Sequence, residues 1–296
     1  MKPAPFVYLA PRSLDETMAM LAEHGADAKL LAGGQSLVPA MNFRLAQPAV
    51  LVDLNGVPDL AGVEATADGG VSIGAMTRQR AVEQSTLVAA RAALLAEAMP
   101  SIAHLQIRTR GTIGGSLAHA DPAAELPAVV CALGATLHVR SARGPRSIPA
   151  ADFFTGLFAT ALQPGELLVG VTFPRALPRQ GTAFLEVSRR HGDFALTGVA
   201  ACVALDDAGA CSAVSVALLS VGDGPLLAAR VSTALVGERP TSAALAAAAE
   251  GLDRDLDPPS DLHASAAYRR QLARVLTRRA LTIALARADG AAKAGG

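Results

Sequence analysis

Two glycine pairs, about eighty residues apart, constrain this chain more than anything else in it. They lie in Ala32-Gly33-Gly34-Gln35-Ser36-Leu37 and in Thr112-Ile113-Gly114-Gly115-Ser116-Leu117. Each pair is followed closely by a hydroxyl side chain. Glycine lets the backbone enter φ > 0 and lets a bulky ligand approach the main chain. Successive N–H groups turned toward one point make an anion-binding nest. Two such nests facing one another would hold the two halves of a diphosphate, which points to a dinucleotide cofactor and an enzyme.

The familiar dinucleotide and nucleotide folds do not fit. There is no Gly-x-x-x-x-Gly-Lys, which excludes a P-loop. There is no Gly-x-Gly-x-x-Gly, which argues against a Rossmann site. At 296 residues, 51% hydrophobic and 18% charged, the chain has room for two ordinary domains with real cores. A formal net charge of zero argues against a broad face for nucleic acid. No apolar run reaches the roughly 18 residues that span a bilayer. The opening MKPAPFVYLAPRS makes a poor signal peptide, so the expected location is cytoplasmic. Cys131, Cys202 and Cys211 are widely spaced among apolar residues. They read as buried structural thiols, and they cannot ligate an iron–sulfur cluster alone. No metal site is expected on this chain.

Local patterns divide the chain. Ser13 with Glu16 forms a capping-box signature before Leu14, Met18, Leu21 and Ala22, and Gly25 fits the C-terminal cap. Lys29–Leu31 and Ala49–Leu54 read as strands, with Asn55-Gly56 as a turn. From about Leu60 a second unit begins. It has a strand at 71–75, a helix capped by Thr77 through Val82, and an alanine-rich helix from Leu87 to Met99. Asp121-Pro122 resembles a helix start, and strands are expected at 135–140 and 167–173. Pro174–Arg179 looks like a linker. Beyond it come strands at 184–187, 198–205 and 213–221, a helix at 241–252 and a long helix at 262–288. In that helix Leu272, Val275, Leu276, Ala280 and Ile283 line one face. Arg269, Arg270, Arg274, Arg278 and Arg279 take the rest, as a solvated face or a partner contact.

The stretches 31–39 and 106–116 resemble the FAD-binding medium subunit of molybdenum hydroxylases, the family of aerobic carbon monoxide dehydrogenase and xanthine dehydrogenase. Pro164–Leu168, Arg189–Ala195 and Ala267–Arg269 extend the resemblance over nearly the whole chain. It implies an α+β fold: a two-lobed FAD-binding domain of the vanillyl-alcohol-oxidase type, residues 1–176 with lobes about 1–57 and 58–176. A smaller α+β C-terminal domain, 177–296, of the carbon monoxide dehydrogenase flavoprotein type would follow. The resemblance also implies partners. A small subunit would carry [2Fe-2S] clusters and a large subunit the molybdenum–pterin centre. The three would form a heterotrimer dimerised to a hexamer, passing electrons through FAD to an external acceptor.

Carried onto this chain, the resemblance makes Leu30, Leu31, Ala32, Gly33, Gly34, Gln35, Ser36 and Leu37 the wrap around the diphosphate. Thr112, Ile113, Gly114, Gly115 and Ser116 would hold diphosphate and ribityl chain from the other lobe. Ile102 would pack on the ring system and Leu168 under adenine. Asp121 or Glu125 would hydrogen-bond ribityl or flavin atoms; equally, Asp121 reads as a helix cap and Glu125 as a first-turn acid. His119 reads either as a flavin neighbour or as a structural histidine. Phe194 falls where relatives often have tyrosine, over the isoalloxazine. Two further departures are Gln35, where some carbon monoxide enzymes have histidine, and a missing lysine at 184–187, where xanthine-oxidising relatives have one. Flavin chemistry belongs to the cofactor, so no catalytic acid or base is assigned. A stand-alone flavin oxidase or reductase of the same fold, and a flavin-free scaffold, are the competing readings.

Overall fold

The computed structural model describes the backbone of residues 1–294 and the side chains of residues 1–290; the last two residues of the expected C-terminal unit lie outside it. Strand β1 (Val7–Leu9), helix α1 (Leu14–His24), strand β2 (Ala28–Leu31), helix α2 (Leu37–Asn42) and strand β3 (Val50–Asp53) build a parallel sheet in the order β1-β3-β2. Parallel neighbours require crossovers, and the two helices supply them. Helix α1 starts as its sequence predicts: Ser13 Oγ accepts from the Glu16 N–H at 3.1 Å, and Gly25 ends the helix at φ +51°. The Glu16 carboxylate reaches back past the cap to the Arg12 N–H, at 2.6 Å. Leu31 lies opposite Asp53, so the loops after β2 and β3 leave the sheet at the same carboxyl-terminal edge. Open α/β sheets bind ligands at that edge.

The second lobe contains β4 (Val63–Ala65), β5 (Val71–Gly74) and helices α3 (Gln79–Gln84), α4 (Thr86–Arg91), α5 (Ala93–Ala98), α6 (Leu105–Arg110), α7 (Ile113–His119) and α8 (Glu125–Ala132). Strands β6 (Thr136–Ser141) and β7 (Gly144–Pro149), helix α9 (Ala150–Phe153), the hairpin β8 (Phe154–Gly156) with β9 (Ala159–Thr160), and β10 (Leu167–Phe173) follow. The antiparallel sheet runs β4-β5-β10-β6-β7, and Val71, Ile73, Leu137, Val171 and Phe173 project into its core.

Three local expectations are corrected here. Thr77 caps no helix: its hydroxyl bonds both the N–H and the carbonyl of Gly62, at 2.9 Å each, and α3 begins after Arg78. The alanine-rich run is two helices, broken at Ala92, whose φ of −137° leaves the helical region. Asp121 heads a turn, its Oδ1 accepting from the Ala123 N–H at 2.9 Å, and α8 starts only at Glu125. An Asx turn offers the backbone a local alternative to helix.

After Pro174–Arg179 comes a third sheet, antiparallel and ordered β11 (Gln180–Ser188), β12 (Ala195–Leu205), β13 (Cys211–Leu219), β14 (Leu226–Leu227). Helices α10 (Ala229–Leu235), α11 (Ser242–Glu250) and α12 (Ala266–Ala294) complete it. The sequence had not marked α10, whose buried anchors are only Val231 and Leu235. Every residue of β12 is buried, because both faces of the sheet are covered. Helix α12 covers one face and lies so close that a Cβ on Gly181 would stand 2.0 Å from the Ala284 carbonyl oxygen. The buried stripe of α12 is Ala273, Leu276, Ala280, Leu281, Ala284 and Ala288; Leu272, Val275 and Ile283 sit at its margins. Arg269 is not solvated as expected. It is 5% exposed and donates to the Leu196 carbonyl and, at 2.8 Å, to Asp261. The opposite sheet face joins the core of the second lobe through Phe184, Ala200, Ala217 and Leu219. All three cysteines are unpaired and buried, and burial pushes the Cys131 thiol up to about 12.

Candidate functional site

The two glycine segments meet. The first leaves β2 at the ligand-binding edge of its sheet. Gly34 takes φ +76°, a conformation that strains any residue with a Cβ. Gly33 lies against the other lobe: a Cβ there would stand 2.5 Å from the Arg110 carbonyl oxygen and 2.7 Å from the Gly111 Cα. From the second segment, a Cβ on Gly115 would come within 3.2 Å of the Ala32 Cβ. The first two carbonyls of this loop are engaged. Ala32 accepts from Asn55 Nδ2 at 3.0 Å, and Gly33 from Gln35 Nε2 at 3.2 Å. The backbone N–H groups of Gly33, Gly34, Gln35 and Ser36 have no protein acceptor among the described residues. A row of uncommitted donors in an otherwise hydrogen-bonded backbone fits an anion such as a diphosphate.

The second segment is built differently, and here the expected nest is corrected. Gly114 and Gly115 lie within helix α7, without positive φ. Thr112 Oγ1 accepts from the Gly115 N–H at 3.0 Å; the Ile113 N–H donates to Thr77 and the Gly114 N–H to Ala75 at 2.8 Å. These donors are spent inside the protein. Gly114 is glycine for packing: a Cβ there would stand 2.4 Å from the Ala75 Cβ. What faces outward is the half-buried Gly115–Ser116 step, while Thr112, Ile113 and Gly114 are closed in.

The remaining expected residues are placed as follows. Leu30, Leu31 and Leu37 are half-buried around the first loop. Ile102 is buried, and its carbonyl accepts from Arg108 Nη1 at 2.7 Å. Arg108, which sequence reasoning missed, is 7% exposed and pairs with Glu83 through two bonds of 2.9 and 3.2 Å, so it staples 100–103 to α3. Burial acts to raise the Glu83 carboxyl, but bonds from Arg108 and Arg80 outweigh it and hold it below its ordinary value. Leu168 is buried in β10 opposite Val139. Phe194 is 69% exposed, on the loop between β11 and β12. That loop is seated on the second lobe, because the His104 ring occupies the space a Cβ on Gly192 would need, at 2.2 Å. His119 packs against Phe158 with tilted rings, their centres 5.1 Å apart.

Glu125 is buried at the start of α8. Burial, aided by Asp121 and opposed by Arg108, pushes its carboxyl up to about 7. Glu186, also missed, lies on β11 on the same sheet face as Phe184, toward the second lobe. Its Oε2 is enclosed with no hydrogen-bond partner among the described residues, and burial with the nearby Glu125 charge pushes it up to about 8. Alternation along β11 could have flagged it: Ala183 and Leu185 face α12, so Glu186 must face inward.

Comparisons with known proteins give the family and the fold. Residues 4–176 match the family described as FAD binding domain in molybdopterin dehydrogenase, and residues 182–284 match the CO dehydrogenase flavoprotein C-terminal domain. The chain is 43% identical over 288 residues to the 6-hydroxypseudooxynicotine dehydrogenase complex subunit alpha of Paenarthrobacter nicotinovorans, covering 97% of each. It is 41% identical to the caffeine dehydrogenase subunit beta of a Pseudomonas species, covering 95% of each. A solved carbon monoxide dehydrogenase from Hydrogenophaga pseudoflava, lacking the Mo-pyranopterin moiety of its molybdenum cofactor, superposes with a TM-score of 0.94 at 39% identity, covering 97% of this chain and 99% of that one. With both family matches in chain order and the same fold throughout, this chain belongs to the FAD-binding medium subunits of the molybdenum hydroxylases, a family of oxidoreductases.

Proposed function

We propose that this subunit holds FAD in the cleft between its first two sheets and passes electrons from the [2Fe-2S] clusters of a small partner subunit to an external acceptor. Those electrons originate at a molybdenum–pterin centre in a large partner subunit. The three subunits form a heterotrimer that dimerises to a hexamer in the cytoplasm. The observation that carries this reading is the row of N–H groups from Gly33 to Ser36, uncommitted among the described residues, on a loop packed against Arg110, Gly111 and Gly115 of the other lobe. When bound, FAD supplies the electron-transfer chemistry; the protein supplies binding, orientation and electrostatics.

Residues 1–176, in lobes 1–57 and 58–176, form the cofactor unit, and 177–296 the C-terminal unit. Leu30 to Leu37 wrap the diphosphate through the backbone. Ser116 contributes a hydroxyl and Gly115 close approach, and Thr112 holds that step from behind through its bond to the Gly115 N–H. Ile113, Gly114, Ile102 and Leu168 make the apolar floor, in keeping with their burial. Asp121 or Glu125 meets ribityl or flavin polar atoms. A carboxyl raised to about 7 is partly protonated near neutrality, so Glu125 can donate as well as accept. Phe194 covers one face of the isoalloxazine, and its exposure leaves the ring free to do so.

The test is to co-express the chain with its neighbouring reading frames, measure the mass of the assembly, and follow the flavin band while the molybdenum centre is reduced. Bleaching of one FAD per copy of this chain is expected. An assembled complex without flavin, or a flavin band that stays oxidised, contradicts the proposal.

A further inference from the structure

We infer that Arg78 and Asn55 form a latch that holds the two glycine segments in register for the dinucleotide, an inference that rests on the cofactor reading above. The Arg78 guanidinium donates through Nη1 to the Arg110 carbonyl and through Nη2 to Asn55 Oδ1 at 2.5 Å. Asn55 Nδ2 donates in turn to the Ala32 carbonyl at 3.0 Å and to the Asp53 carboxylate. The contacts run without a gap from the peptide before Gly33 to the peptide before Gly111, and so from the first lobe to the second.

Main-chain bonds fix the other end of the latch. Arg78 and Thr112 make an isolated antiparallel bridge. It is flanked by the Gln79 N–H on the Gly111 carbonyl at 2.9 Å and the Ile113 N–H on the Thr77 carbonyl at 3.1 Å. Arg78 therefore belongs by its backbone to the second segment and reaches by its side chain to Asn55 of the first lobe. Asn55 is held on Asp53, which Tyr8 also grips, its hydroxyl donating to Oδ2 at 2.5 Å. Burial acts to raise the Asp53 carboxyl, but the bonds from Tyr8 and Asn55 outweigh it and keep the acceptor charged.

The residue types suit the task. A planar guanidinium presents separate donors to two acceptors, which an ammonium does not reproduce. An amide offers an acceptor to Arg78 and a donor to Ala32 at once. Engaging the Ala32 and Arg110 carbonyls also holds those two peptides in a fixed orientation, and with them the N–H groups that follow. Without the latch, both loops would have to be ordered by the ligand itself, which weakens binding. Arg78 and Asn55 are positioning residues and carry no chemistry of their own.

The test uses the complex assembled with its partner subunits, as wild type, R78A, R78K, N55A and R78A/N55A. FAD content, the flavin visible band and the rate of FAD release on dilution are read beside far-UV circular dichroism. Release at least tenfold faster in R78A and N55A, with unchanged dichroism, is expected. The double variant should release no faster than the quicker single one, because both break one unit. R78K should recover part of the loss through a single retained donor. Release within twofold of wild type in R78K and N55A overturns the latch, whether or not R78A assembles, and so do additive effects. A wild-type complex that holds no FAD overturns the cofactor reading instead.

Discussion

The two glycine segments look alike in sequence and use their glycines for different ends. In the first, Gly34 needs its positive φ, and the N–H groups from Gly33 to Ser36 have no acceptor among the described residues. In the second, the glycines are helical, their N–H groups are satisfied, and Gly114 exists so that α7 can press against Ala75. One segment is a donor array supported from behind. The other is a packed wall against which that array is set. A shared Gly-Gly-hydroxyl pattern therefore does not imply a shared mechanism: the same residue type can relieve a dihedral constraint or a steric one.

Tests at four places would break or sharpen this contrast. The largest effect is expected at the wall. Gly114→Val would drive a branched side chain into Ala75, where even a Cβ stands 2.4 Å away. Overpacking of this kind costs about 1–3 kcal/mol and often more. The variant should lose much of its thermal stability, or fail to accumulate as folded protein, with FAD loss as a consequence. A variant that melts with wild type would show that the seam between the lobes can yield.

Gly34→Val should behave in the opposite way. Its Cβ would point back to Val38 and Leu31, at 3.2 and 3.3 Å, so the damage comes from the strained φ and a shifted loop. The strain amounts to roughly 1–2 kcal/mol. Assembly and dichroism should survive while FAD is lost. Full FAD occupancy in this variant would remove the donor array from the site.

Phe194 tests the C-terminal unit's share. Phe194→Ala should loosen FAD by about 1–3 kcal/mol, the scale of stacking on a heteroaromatic base. Phe194→Tyr should retain FAD with a small shift in flavin potential. Unchanged retention and spectra in both would place the ring outside the cofactor's reach.

The smallest effect is a pH slope at the wall's far end. Glu125 and Glu186 keep protons in the folded protein, up to about 7 and about 8, that the unfolded chain releases near the ordinary carboxyl value. The unfolded state then binds fewer protons over that window, so stability of the flavin-free protein falls as pH rises from about 5 to 8. The slope is at most roughly 1.4 kcal/mol per pH unit for each carboxyl. Glu186→Gln should flatten it; melting temperatures across pH that keep the wild-type slope would show that Glu186 does not hold the proton.

Much of this molecule was legible because much of it is local. The Ser13 cap, the Gly25 stop, the strand at 167–173 and the helix beginning about residue 241 follow from contacts three or four residues apart, or from strand alternation. The positions of both glycine pairs, and the absence of clustered cysteines, were likewise fixed by the chain itself. Tertiary structure decided what those features are for. Which N–H groups remain free depends on what packs behind each loop. Asn55 reaches Ala32 across 23 positions and Arg78 reaches Arg110 across 32, so no local pattern marks them as partners. Arg269 looked solvated by helical spacing until the 195–196 strand end and Asp261 closed over it. Glu186, in the C-terminal unit, feels the Glu125 charge of the second lobe only once the third sheet is docked. Short-range sterics and capping write themselves into neighbouring residues; hydrogen-bond partners and burial between lobes are properties of the packed chain, and only the fold assigns them.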